Sequence, residues 1–221
     1  MKRACAIATR LLVLALAAQP GLISAGTATS TSKTSAKSPG AADTTVCAAC
    51  HGANGEGSAA AHVPRIAGQS AEYLQKQLDD YASGARDNAI MANFAKSLSV
   101  EQRAQLAKRY AAMSAPLLSE PAANPQQLAR GHQLAYQGDE NIRVQACNSC
   151  HGPDGSGVLH AAPYLAGQSS EYISSALKAF HAGLRKNDAG ELMRSVAGHL
   201  ADADIAAASA YFANEGSAIR P

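Results

Sequence analysis

The chain has 221 residues, enough for one medium domain or two small ones. Hydrophobic residues make up 47% of it but aromatics only 5%, with no tryptophan, which leaves little bulky material for a core. A net charge of +2 without any basic stripe speaks against nucleic acid as the partner.

Residues 1–25 have the form of a secretory signal. Lys2 and Arg3 give a positive start, Leu11–Ala18 an apolar centre, and Pro20-Gly21 a break before the small-residue cleavage region at Ile23-Ser24-Ala25. A membrane span needs ~20 apolar residues, and this run is shorter. Cleavage would remove Lys2, Arg3 and Arg10, taking 19 basic residues to 16 against 17 acidic ones, so the exported protein is near neutral. Cys5 would leave too, and the remaining cysteines all belong to two matching motifs. Residues 26–45, rich in Thr, Ser, Ala and Lys with no apolar period, read as a flexible tether.

The first motif is Cys47-Ala-Ala-Cys50-His51-Gly52, and the second, one hundred positions on, is Cys147-Asn-Ser-Cys150-His151-Gly152. On one turn of helix, positions i, i+3 and i+4 share a face, so two thiols and an imidazole point the same way. That set suits covalent haem c: the thiols add to the porphyrin vinyl groups and the histidine offers a nitrogen to the iron. A zinc site built jointly from both CxxC pairs is the competing reading, but it leaves the two matched histidines without a role. A redox dithiol would need a βαβ context, which the pattern lacks. Glycines follow each motif, at 52, 55 and 57 and at 152, 155 and 157, and let the chain turn off the haem helix. No strand precedes them, so they make no phosphate loop.

The repeat extends well beyond the motifs. Val63-Pro64-Arg-Ile-Ala-Gly-Gln69-Ser-Ala-Glu-Tyr73-Leu74 returns as Ala162-Pro163-Tyr-Leu-Ala-Gly-Gln168-Ser-Ser-Glu-Tyr172-Ile173. Residues 70–84 carry apolar positions at helical spacing and end on Gly84. Tyr73 and Tyr172 read as core residues of this helix and its copy. Gly-Ala-Arg86-Asp-Asn88 is matched by Gly-Leu-Arg185-Lys-Asn187, and Met91 by Met193. The sixth iron ligand follows from that match: Met91 and Met193 hold one repeat position, whereas Met113 has no counterpart and reads as core filler. His62, His132, His160, His181 and His199 have no matched partners and are assigned no ligand role. Ser99-Val-Glu-Gln102 forms a capping box for a helix over 99–113. Three prolines within residues 115–125 mark a linker. Helices are expected over 126–137 and 201–215, and no stretch alternates as a strand would. The expected architecture is all-α, with two tandem haem domains at 46–114 and 126–221.

Over about 180 residues these ordered motifs resemble the di-haem cytochrome c4 family, in which two class I cytochrome c domains face each other across a pseudo-twofold interface. The resemblance implies axial pairs His51/Met91 and His151/Met193. It also implies that the carbonyls of Pro64 and Pro163 accept from the Nδ1–H of those histidines, fixing the tautomer. Arg86, Asn88, Arg185 and Asn187 are expected to bind haem propionates or to brace the methionine segment. The implied function is a periplasmic electron carrier working from a quinol-oxidising bc complex to a haem–copper terminal oxidase. A haem enzyme (a di-haem peroxidase or thiosulfate-oxidising cytochrome) and an electron-transfer subunit of a membrane dehydrogenase or oxidase are the alternatives. The family pattern has a glycine-bearing helix before each motif. The second copy has it at Leu128–Tyr136 with Gly131, while the first has only the brief 41–46 stretch, and its long tether leaves room for loose membrane association.

Small domains with few aromatics bury modest cores, so each porphyrin should act as the apolar body around which its domain folds. Apoprotein is therefore expected to lose its helical circular-dichroism signal; an apoprotein that keeps it overturns this expectation.

Overall fold

The structure is a computed structural model and describes residues 43–157 and 162–215. The expected signal at 1–25, the expected tether as far as residue 42, and His160 lie outside the described residues. The described chain is helical, and its extended pairings are isolated bridges such as Ser58–Val63 and Asp139–Val144. In chain order the first copy has α1 (Thr45–His51), α2 (Ala71–Ser83), α3 (Ala89–Ser97) and α4 (Val100–Ala111). The second has α5 (Pro125–Tyr136), α6 (Asn148–His151), α7 (Ser170–His181), α8 (Leu192–Ala197) and α9 (Asp202–Glu215). Thus α1 through α4 correspond to α6 through α9, and α2 packs on α3 and α4 as α7 packs on α8 and α9.

Local chemistry explains the boundaries. Ser70 accepts from Tyr73 N to start α2, and Gly84 closes it in the left-handed conformation. Ser99 and Gln102 form the reciprocal capping box of α4. Asn124 caps α5, with Pro125 at the first position, where its missing N–H costs nothing. In the second copy the core gathers Leu134, Val144, Leu200, Ile205 and Ala208, beside a cluster of Ala135, Ile173, Tyr211 and Phe212. Cys147 packs against both clusters, which sets α6 on the core. The buried apolar residues of the first copy are fewer, among them Ala67, Tyr81, Ala95, Leu106, Ala107 and Tyr110.

The copies meet through exchanged bonds. Gln69 Nε2 donates to Tyr164 O at 3.1 Å while its Oε1 accepts from Tyr164 N at 2.9 Å. Gln168 repeats this on Arg65, donating to its carbonyl at 3.0 Å and accepting from its N–H at 2.9 Å. Matched residues thus swap partners, as a twofold axis requires. Each glutamine amide mimics a strand edge and satisfies one residue's backbone donor and acceptor together. Arg65 also ties down the linker, donating to the carbonyls of Ala115 and Pro116 at 2.7 Å each.

Gly131 sits inside α5, where alanine would favour the helix by about 1 kcal/mol. A Cβ there would lie 2.3 Å from Ala207 O and 2.4 Å from Tyr211 Cβ, so α5 and α9 cross backbone to backbone. Close approach outweighs propensity. Gly131→Ala is expected to cost about 1–3 kcal/mol through overpacking, read as a lowered thermal midpoint; an unchanged or raised midpoint contradicts this account.

Candidate haem sites

α1 carries Cys47, Cys50 and His51 on one face, and Cys147, Cys150 and His151 take the same arrangement at α6. Both histidines are buried, and the ring Nδ1–H donates to the carbonyl of Pro64 or Pro163 at 2.9 Å in each copy. The return path is built by the glycines. Gly57 N donates to His51 O at 2.7 Å, and the Gly55 carbonyl accepts from Ile66 and Ala67, which swings Pro64 back over the ring. At Gly57, φ is +83° and a Cβ would lie 2.6 Å from Arg65 N, so only glycine allows the approach. Burial lowers the pKa of both histidines, and the carbonyl bond opposes this only in part. Neutral rings with Nδ1 occupied leave Nε2 as the free nitrogen donor. Burial also pushes up the Cys47 thiol, and the Cys147 thiol to about 11.

A cavity of about 650 Å³ opens beside α1. It brings together Cys47, Cys50, His51, Pro64, Arg86, Asn88 and Met91 from the expected set. Leu74, Leu78, Leu98 and Leu106 supply apolar walls. The cavity continues into the second copy, reaching Tyr172, Ala176 and Arg185. Paired thiols, a neutral buried imidazole, a thioether and an apolar slot whose lining includes Arg86 and Arg185 fit a porphyrin that is apolar in its body and anionic at its carboxylates. Among the described residues no group of three or more His, Cys, Asp or Glu side chains could hold a metal ion, so the joint Cys₄ zinc site is not formed.

The methionine segments differ between copies. Asn88 caps α3, its Oδ1 accepting from Met91 N at 2.9 Å. Asn187 does not repeat this, because three positions separate Asn88 from Met91 but six separate Asn187 from Met193. The extra length forms a short turn over Ala189–Glu191, with Gly190 and Glu191 both left-handed. There Asp188 takes over, accepting from Arg194 N and Nε at 2.9 Å each. Met113 is half-buried just past α4, away from the cavity lining.

Arg86 and Arg185 meet at the interface. Arg86 Nη2 donates to Tyr172 OH at 2.9 Å, and Arg185 Nη2 to Tyr73 OH at 3.1 Å. Each guanidinium also stacks on a ring of its own copy, Tyr81 at 4.7 Å and Phe180 at 4.5 Å. Burial works against the charge on Arg86, but the surrounding phenols outweigh it and the guanidinium stays ionised. Burial likewise opposes ionisation of Tyr172, yet Arg86 and Arg185 hold its pKa below the usual value. Tyr73 and Tyr172 are thus not simply core: their rings are half-buried, and the hydroxyls reach across to cations of the other copy. Periodicity placed the rings correctly and is blind to where the hydroxyl finds its donor. Among the described residues neither guanidinium has a carboxylate partner, although both line or border an apolar cavity. Two adjacent cations, Arg185 buried and Arg86 half-buried, call for anions. Gln69, Gln77 and Gln168 complete the contact, and no spacing signal marks them.

Asp188 has only 4% of its side chain exposed. Burial raises its pKa, but the two bonds from Arg194 more than offset this, and the net direction is down. A carboxyl lowered in the folded state stabilises above its unfolded value, near ~3.9, and loses that contribution as pH falls through the folded value. Asp188→Asn is expected to lower the thermal midpoint at neutral pH, with the two curves converging as pH falls through the lowered folded value of Asp188. Parallel curves across that range would contradict it.

Both copies match the cytochrome c family, over residues 36–110 and 128–214. A thiosulfate dehydrogenase electron acceptor of Stutzerimonas stutzeri is 43% identical over 170 residues, covering 77% of this chain and 79% of that protein. A cytochrome c4 of Pseudomonas aeruginosa is 37% identical, covering 78% and 85%. The crystal structure of reduced cytochrome c4 from Pseudomonas stutzeri aligns with a TM-score of 0.70 at 32% identity, covering 77% of this chain and 93% of that one. With a CxxCH motif in each of two tandem domains and two covalently bound haem c groups, the chain belongs to the cytochrome c family, in its di-haem cytochrome c4 branch.

Proposed function

We propose that the protein is a periplasmic electron carrier with two six-coordinate haems, moving electrons from a quinol-oxidising bc complex to a haem–copper terminal oxidase. The observation that carries this reading is the doubled set of a buried, carbonyl-bonded histidine and a repeat-matched methionine. Residues 1–25 would be the signal, 26–45 the tether, 46–114 and 126–221 the haem domains and 115–125 the linker. No helix among the described residues is long and apolar enough to cross a membrane.

Bound haem supplies a one-electron couple at each iron, at a potential raised by thioether ligation relative to bis-histidine. Cys47, Cys50, Cys147 and Cys150 would hold the porphyrins through thioether bonds. His51 and Met91, and His151 and Met193, would fill the axial positions. Pro64 and Pro163 fix the tautomer and ring plane of the histidines, which keeps reorganisation small. Arg86 and Arg185 would neutralise propionates at the interface, while Asn88 holds the start of the Met91 helix. No residue takes a catalytic role, because no bond is made or broken.

A second reading concerns the donor. A relative at 43% identity bears the name of a thiosulfate dehydrogenase electron acceptor, which favours a thiosulfate-oxidising enzyme as the source of electrons. Stopped-flow reduction by a bc complex and by a thiosulfate dehydrogenase with thiosulfate separates the two, the true donor being the faster.

The carrier reading itself is tested by spectroscopy. A thioether–iron charge-transfer band from both haems, with no carbon monoxide binding on reduction, is expected. Met91→Ala and Met193→Ala should each remove about half of that band and open one haem to carbon monoxide. Ready binding by the unaltered protein would put a haem enzyme ahead, and purification as a free protein without detergent would sink the fixed-subunit alternative.

A further inference from the structure

Gln77 occupies a position that the repeat does not duplicate, since its counterpart is Ala176. It is buried on α2, where that helix meets the second copy. Its Oε1 accepts from Arg86 Nη1 at 2.7 Å, Arg185 Nη2 at 3.1 Å and Asn187 Nδ2 at 2.9 Å. A carbonyl oxygen offers two lone pairs, so three donors, two of them cationic, use all its capacity. We propose that Gln77 couples the two haem sites, holding Arg86 of one copy and Arg185 of the other on a single oxygen so that a change at either haem is felt at its neighbour. This rests on reading the cavity beside α1 as a haem site.

Neither arginine can shift alone. Each donates to a phenol of the opposite copy and lies over an aromatic ring of its own copy. Like charges so close repel, and Gln77 Oε1 is an acceptor that both guanidiniums share. Both arginines line the first-copy cavity, so their positions set part of the field there. Asn187 adds rigidity, since its Nδ2 also donates to Asp80 Oδ2 at 2.6 Å and its Oδ1 accepts from Arg185 Nε at 3.0 Å. Asp80 is matched by Ala179, so this bracing also belongs to the first copy alone. Gln77 bonds Arg86, Arg185 and Asn187, so it acts through the arginines and is a positioning residue.

A double-mutant cycle on the holoprotein tests the coupling. Haem content comes first: two per chain upholds the haem-site reading, and fewer in the unaltered protein overturns that reading rather than the coupling. The midpoint potential of each haem is then measured by spectroelectrochemistry, with the haems assigned by NMR. Arg185→Lys is expected to shift the midpoint of the first-copy haem as well as its own. In a Gln77→Met background, which keeps volume but removes the acceptor, that cross-shift is expected to vanish. Gln77→Glu keeps the acceptor, so the cross-shift should persist there while the added negative charge lowers both midpoints. The coupling is overturned by a cross-shift of equal size with and without the acceptor, by none in the unaltered background, or by its loss in Gln77→Glu.

Discussion

The bond from a buried histidine ring to a proline carbonyl organises each half of this protein. At 2.9 Å in both copies, it holds the imidazole in one tautomer and one plane. It also dictates how the chain leaves the haem helix. Twelve or thirteen residues must turn away and come back, and the left-handed glycines at 52, 55 and 57, and at 152, 155 and 157, make that return short. The same turn delivers the carbonyl and the following Arg65 or Tyr164, whose backbone is then clasped by a glutamine of the opposite copy. Ligand orientation, loop path and the contact between copies are therefore one construction.

Duplication explains why that contact has exchanged partners, and divergence explains where it does not. Gln69 and Gln168, like Arg86–Tyr172 and Arg185–Tyr73, obey the twofold relation. Gln77 and Asp80 break it, having Ala176 and Ala179 as counterparts. The methionine segments break it too: Asn88 caps one, while an insertion hands that task to Asp188 in the other. On the proposed reading the two haem environments share their ligand types and differ in what braces them, which is the ground on which two otherwise equal sites acquire different properties.

Much of the fold was legible because its signals are local. Ser70, Gly84, Ser99 and Gln102 announce helix ends within four residues of the groups they satisfy. The CxxCH triplets place two thiols and an imidazole on one helical turn, and the repeat pairs Met91 with Met193 by position. The interface was not legible. Gln69 finds Tyr164 across 95 positions and Arg185 finds Tyr73 across 112, and no period or spacing encodes contacts between two folded halves. Asn187 shows the limit of reasoning by repeat: matched to Asn88 by alignment, it serves the interface because three extra residues intervene before its methionine.

The placement of charge gives the interface its function. Withdrawing two guanidiniums side by side, one buried and one half-buried, among glutamine and tyrosine is unfavourable unless anions lie close, and the described carboxylates do not supply them. On the proposed reading the porphyrin carboxylates do, so the cofactors are structural members of the contact rather than guests within each half. The first-copy cavity already runs into the second copy, reaching Tyr172, Ala176 and Arg185. On that reading an electron leaving the site meets fixed dipoles and paired cations, in a medium that needs little rearrangement when charge moves. On the same reading, an arginine pair that would burden an ordinary interface is the feature that joins the two haems.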